Sequence, residues 1–271
     1  MKEYNPKNLE ELLVIKSQIR FDGISPYLAF FRGQNADWEI KPGVSRGTEN
    51  DSKKLLINEN ALFEKFEEEA KSFLNLQPHL NKKEYKFAQK WYHLFQAQHI
   101  GIKTRLTDWT QSFENALVFL IYDRENQNID KNGVLWFYKA PRNLLINFNN
   151  EENYKFWNQD PFILDKFYTI KHSSQFTDDY FKSPAEIKRF RQDGSFIISP
   201  SNRISTAIEK VDYLNKDLEK IIISPVLKKI LKENYLSPNL EDYIFDMQSQ
   251  EKIDSLKEIS LEVSALNSKF F

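Results

Sequence analysis

The sequence predicts an α+β fold. Three observations carry the prediction: apolar residues at helical spacing dominate the first 125 residues, short apolar runs of strand length enter between 130 and 225, and helical spacing returns from Pro225. Taken in order, Leu9, Leu12, Leu13, Ile15 and Ile19 fall close to one helical face. Tyr27 to Phe31 is aromatic and apolar and is closed by Gly33, a short-strand signal. Gly43 and Gly47 mark a loop around Pro42. Lys53 to Leu76 places Leu55, Leu62, Phe66 and Phe73 at helical spacing, and Tyr85 to Ile100 forms a further helix stopped by Gly101 as a left-handed cap. Asp108 followed by Gln111 matches the reciprocal capping pattern and is expected to open the apolar helix Phe113 to Tyr122. Strands are expected at Gly133 to Tyr138, Lys166 to Ile170, Ser195 to Ser199 and Lys220 to Ser224. Helices follow at Val226 to Leu236 and Leu240 to Met247, before a charged segment that runs to Phe271.

Composition removes several function classes. Lysine and arginine number 38 against 39 acidic residues, so the basic excess typical of a nucleic-acid binder is missing and such a partner is not indicated. The absence of cysteine excludes disulfides, thiolate metal sites and a cysteine nucleophile. His79, His93 and His172 show no ligand spacing with a carboxylate partner, so no metal is expected. Glycine-rich dinucleotide, Walker and G-x-S-x-G sequences are absent. The longest apolar run, Ala116 to Tyr122, is too short to span a bilayer, and the first residues are polar. A cytoplasmic protein without membrane contact is the expectation. At 271 residues about three-quarters of the unfolded chain's surface can be buried, enough for one large core.

Three polar clusters stand out against this background. The first is Phe31-Arg32-Gly33-Gln34, followed by Trp38, Ile40, Pro42 and Arg46. An arginine at the end of an apolar strand needs anions or carbonyls for its five donors, so Arg32 either forks onto a phosphate or carboxylate or closes a local salt bridge. The second runs from Gln98 and His99 through Gly101, Thr104, Arg105 and Leu106 to Asp108, Trp109 and Thr110. His99 is a candidate general acid or base with Asp108 orienting it; equally, His99 complements a helix dipole, Asp108 caps a helix, and Arg105 pairs with Asp108. The third is Arg189, Arg191, Gln192, Gly194 and Phe196, where Asp193-Gly194 turns the chain into an apolar strand.

In this order the blocks resemble the FRG domain family, whose pattern runs FRGQ, W-x-L-x-P with an arginine, Q-H-x-G-x-P-T-R-L-L-D-W-T, and a late Q-x-G-x-F. Ile40 stands for leucine here, Lys103 for proline and Thr107 for leucine. The resemblance covers about residues 10 to 235, leaving 236 to 271 as a helical C-terminal extension. The family's organisation is similar to that of ADP-ribosyltransferases, which implies a mixed or antiparallel sheet flanked by helices. It also implies NAD as a substrate. By that likeness Arg32, Gly33, Gln34, Arg46, Thr104, Arg105 and Trp109 bind the nucleotide, and His99, Asp108 and Gln192 are catalytic. Gln192 stands where the transferases carry glutamate, so it orients a ribose hydroxyl but supplies no negative charge. Two readings follow: an ADP-ribosyltransferase or NAD glycohydrolase acting on an unidentified target, or a non-catalytic module that senses a nucleotide or phosphate ligand.

Overall fold

Eight strands form one mixed sheet in the order β1-β8-β4-β2-β3-β7-β6-β5. The strands are β1 Lys2–Tyr4, β2 Leu28–Gln34, β3 Leu106–Thr110, β4 Gly133–Ala140, β5 Leu145–Asn147, β6 Tyr168–Lys171, β7 Gly194–Ile198 and β8 Leu218–Ile223. The computed structural model describes residues 1–21, 28–47, 51–70, 83–99, 101–122, 127–147, 151–171 and 194–234. Inner neighbours pair antiparallel; the outermost pairs, β1 with β8 and β5 with β6, are parallel. Helices are α1 Leu9–Phe21, α2 Ser52–Ala70, α3 Ala88–His99, α4 Phe113–Ile121, α5 Asp212–Asn215 and α6 Pro225–Asn234. The mixed α+β class is as expected. Gln192 and the extension from 236 lie outside the described residues.

Side-chain alternation sorts the core into layers. Along β4, Val134, Trp136 and Tyr138 face one cluster with Trp109, Ile197 and Leu214, while Leu135 and Phe137 face another with Leu12, Phe31, Leu117 and Leu227. Both sides of β4 are therefore buried, which explains its apolar run from Gly133 to Tyr138. The second of these clusters is covered by α1, α4 and α6. On the same face of the sheet, β3, β7 and β6 carry a separate cluster under α2 and α3, built around Phe63, Trp91, Leu94 and Phe196. One face thus holds two helix-covered halves, and the seam between them runs along the junction of β2 and β3.

Two expectations change at that seam. Asp108 does not cap a helix; it sits in the middle of β3, and Ser112 caps α4 by accepting from the Asn115 N–H. The strand wins because Leu106, Thr107, Trp109 and Thr110 are all buried in it, and five residues pair with β7. Similarly, β2 does not stop at Phe31 but carries Arg32, Gly33 and Gln34 on to pair with β4.

Candidate functional site

The seam is open. β2 pairs with β4 along its whole length, from Leu28 opposite Ala140 to Gln34 opposite Val134, yet meets β3 only at Phe31 opposite Thr110. Beyond that pair the two strands diverge, and a cleft of about 700 Å³ occupies the gap. Arg32, Gln34, Trp38 and Arg46 line one side, and Gln98, Asp108, Trp109 and Ser195 the other.

Arg32 spans the opening. Its Nη1 donates to the Asp108 backbone carbonyl at 2.5 Å, taking the place of a missing rung between the strands. Its Nε is buried and has no hydrogen-bond partner among the described residues. Burial, reinforced by the nearby Arg46, lowers the Arg32 guanidinium to about 10, against the pull of Asp108 and Glu209. Arg46 follows the 3₁₀ turn Gly43–Ser45, which is tied to the middle block by a Val44 N–H bond to the Thr104 carbonyl at 3.2 Å. Its Nε donates to the Lys41 carbonyl at 2.9 Å. Partial burial also pulls Arg46 below the ordinary arginine value, with Asp108 opposing. Two guanidiniums therefore share one cleft, and the charge they both feel is the carboxylate of Asp108. Glu39, also in the wall, is engaged by Lys210 and Lys41, whose hydrogen bonds hold it down to about 2.

A short relay fixes Asp108. Gly101 turns the chain at the end of α3 with φ 92°, a conformation that favours glycine, and this brings Thr104 back over Gln98. The buried Thr104 hydroxyl donates to Gln98 Oε1 at 2.5 Å, and Gln98 Nε2 donates to Asp108 Oδ2 at 2.8 Å. Thr104 also accepts the Leu106 N–H at 3.1 Å. The amide of Gln98 is thereby held one way round, with its donor on the carboxylate.

Residues 28–129 match the FRG domain family model. No curated protein and no solved structure matches the chain. The FRG segment contains Arg32, Arg46, Gln98, Thr104 and Asp108, but not β4 and β7, the strands that hold its own two strands in place.

Within the FRG segment several residues have roles other than the expected ones. Arg105 is fully buried and turned away from the cleft, where it forks onto Glu59 at 2.5–3.1 Å and donates to the Phe162 carbonyl and Ser201 Oγ. Its guanidinium joins α2 to the segment after β5 rather than meeting a ligand. Gln34 lines the cleft, but its Oε1 accepts from Trp136 Nε1 at 2.6 Å. Gly33 also lines it; glycine is required there because a Cβ would lie 1.8 Å from the Ala116 carbonyl oxygen of α4. Thr104 acts through Gln98. Trp109 is buried in the wall, its Nε1 donating to Thr107 Oγ1 at 3.2 Å. His99 is the last residue of α3, and its side chain lies outside the described residues, as Gln192 does. Gln98 and Trp38, members of the first two polar clusters that were given no site role, also line the cleft, as does Ser195. Gln98 opens the very block assigned to His99, and Ser195, whose Oγ is buried without a partner among the described residues, stands opposite Trp109 in the ladder. Among the described residues no group of three or more His, Asp or Glu is placed to hold a metal ion, and no helix is long and apolar enough to cross a membrane.

Proposed function

We propose that the protein is an FRG-domain protein whose β2–β3 cleft binds the diphosphate of NAD or a related nucleotide. The observation that carries the reading is the buried Arg32 Nε, left without a partner beside a second guanidinium. A guanidinium donor excluded from water and unpaired is costly, and a phosphate oxygen satisfies it with a charge-assisted bond. In this reading Arg32 and Arg46 hold the phosphates, and the opened sheet with an arginine at its fork supports the likeness to ADP-ribosyltransferases. Asp108, oriented by Gln98 and Thr104, is the carboxylate available to offset positive charge at the ribose as the bond to nicotinamide breaks. Water or an acceptor side chain then takes the ADP-ribose. Gln192 and His99 keep the positioning and acid–base roles that the resemblance gives them. The non-catalytic sensor is the second reading, favoured by the imbalance of two guanidiniums against the one cleft carboxylate, Asp108, that pairs with no lysine.

Arg32→Lys separates a ligand site from a structural arginine. Lysine keeps the charge but loses the planar fork. Titration calorimetry with ADP-ribose is expected to show affinity reduced about tenfold or more with the melting temperature retained. Equal affinity in the variant overturns the proposal. Nicotinamide release from NAD, present in the wild type and lost in Asp108→Asn, decides for the enzyme; binding without release decides for the sensor.

A further inference from the structure

We infer that Trp38 is the stacking platform for the purine base of the nucleotide, an inference that rests on the diphosphate reading of the cleft. Trp38 lies in the cleft wall and is 50% exposed, whereas Trp91, Trp109, Trp136 and Trp157 are 0–3% exposed. No other aromatic side chain among the described residues is exposed. A lone exposed apolar residue is unremarkable, but this one sits on a short segment that is pinned from both sides. Its own N–H bonds the Ala36 carbonyl at 3.0 Å, and the preceding Asp37 pairs with Lys220 at 2.7 Å. Two residues on, Ile40 is fully buried; its N–H donates to the Glu209 carboxylate at 3.1–3.2 Å and its carbonyl accepts from the Ile208 N–H. The ring is therefore presented to solvent by a backbone already ordered, so little further ordering is needed when a base docks.

The charges around the ring select the kind of base. Asp37 is engaged by Lys220, and Glu39 by Lys41 and Lys210. The groups that remain in the adjoining cleft are dominated by the two guanidiniums. A cationic pyridinium ring is disfavoured there, and a neutral purine is not. With phosphates on Arg32 and Arg46, the adenine end of the ligand lies on Trp38 and the nicotinamide end points towards Asp108.

The test is calorimetry of the full chain, as wild type, Trp38→Ala and Trp38→Phe, with inorganic pyrophosphate, AMP and nicotinamide mononucleotide. Losing an aromatic platform under a base is expected to weaken AMP by about fivefold or more in Trp38→Ala. Trp38→Phe should restore most of that affinity, and pyrophosphate should bind all three proteins alike. AMP bound equally by Trp38→Ala and wild type overturns the platform while leaving the arginine cleft intact. Nicotinamide mononucleotide weakened more than AMP overturns the purine assignment. Failure of the wild type to bind any of the three overturns the cleft reading, and the platform with it.

Discussion

Replacing Gly33 with alanine places a methyl carbon where α4 already stands. The added Cβ would lie 1.8 Å from the Ala116 carbonyl oxygen, 2.7 Å from the Leu120 nitrogen and 2.9 Å from the Ala116 carbonyl carbon, all backbone atoms of one helix. Ordinary contact begins at 3.4 Å, so α4 must retreat from β2 by some 1.6 Å or β2 must leave its ladder. Retreat strips contact from Phe31, which packs edge-on against Phe113 with ring centroids 5.5 Å apart, and from Leu117 and Leu120 beneath the same helix. Overpacking that flexible side chains can absorb costs about 1–3 kcal/mol. Here nothing flexible yields, so we place Gly33→Ala at the upper end, about 3 kcal/mol. At about 2–4 °C per kcal/mol for a domain of this size, the melting temperature falls by roughly 6–12 °C. Gly43→Ala is the control, since its Cβ would meet its nearest atom, Lys103 Cα, at 3.4 Å; its effect should stay within about 0.5 kcal/mol. Circular-dichroism melts of the two variants decide the matter. A Gly33→Ala protein that melts within about 2 °C of wild type would show that glycine is not needed there to seat α4.

Two further outcomes follow from buried charge. Glu59→Leu leaves the Arg105 guanidinium uncompensated at 0% exposure and should cost about 3–5 kcal/mol in a denaturant titration, while the double variant with Arg105→Met recovers most of the loss; a double variant as weak as the single contradicts the assignment of this pair as a self-contained structural unit. Burial raises the Glu209 carboxyl above its ordinary value of 4.5, so the folded state holds its proton more tightly than the unfolded chain does. Ionisation of Glu209 therefore weakens the fold as pH rises. Glu209→Gln should melt higher than wild type at neutral pH, with the advantage vanishing below the ordinary value, and a gap that is constant with pH refutes it.

The elements that could be read from the sequence are those whose pattern is unambiguous over several residues. GVLWFYKA can only be a covered strand once its length excludes a helix, and Leu9 to Ile19 shows one apolar face. β1 and β5, at three residues each, are too short to carry a period. β3 was hidden for a different reason: Asp108 and Gln111 imitate a cap, and only pairing with β7, some ninety residues later, reveals a strand. For the site, the placing of Arg32 and Asp108 in one cleft follows from the family resemblance, but the orientation of Arg105 does not. Two arginines in successive polar blocks look alike on paper. Which one is engaged by a carboxylate depends on Glu59, a residue in a helix whose spacing says only that one side is apolar.

Strand order also sets when this protein can fold on the ribosome. β2 finishes at residue 34, but its full-length partner is not complete until residue 140; β3 waits for β7 at 194, and β1 for β8 at 218. At about 5–20 residues per second, the first strand is exposed for on the order of 10–40 s before its partner is made. β2 and β3 wait a shorter time, roughly 5–20 s each, for β4 and β7, and until then the arginine that later bridges them has no settled pair of strands to bridge. The cleft is thus among the last features to take shape in the nascent chain. A release of the polypeptide near residue 130 yields two orphan edges rather than a smaller working protein.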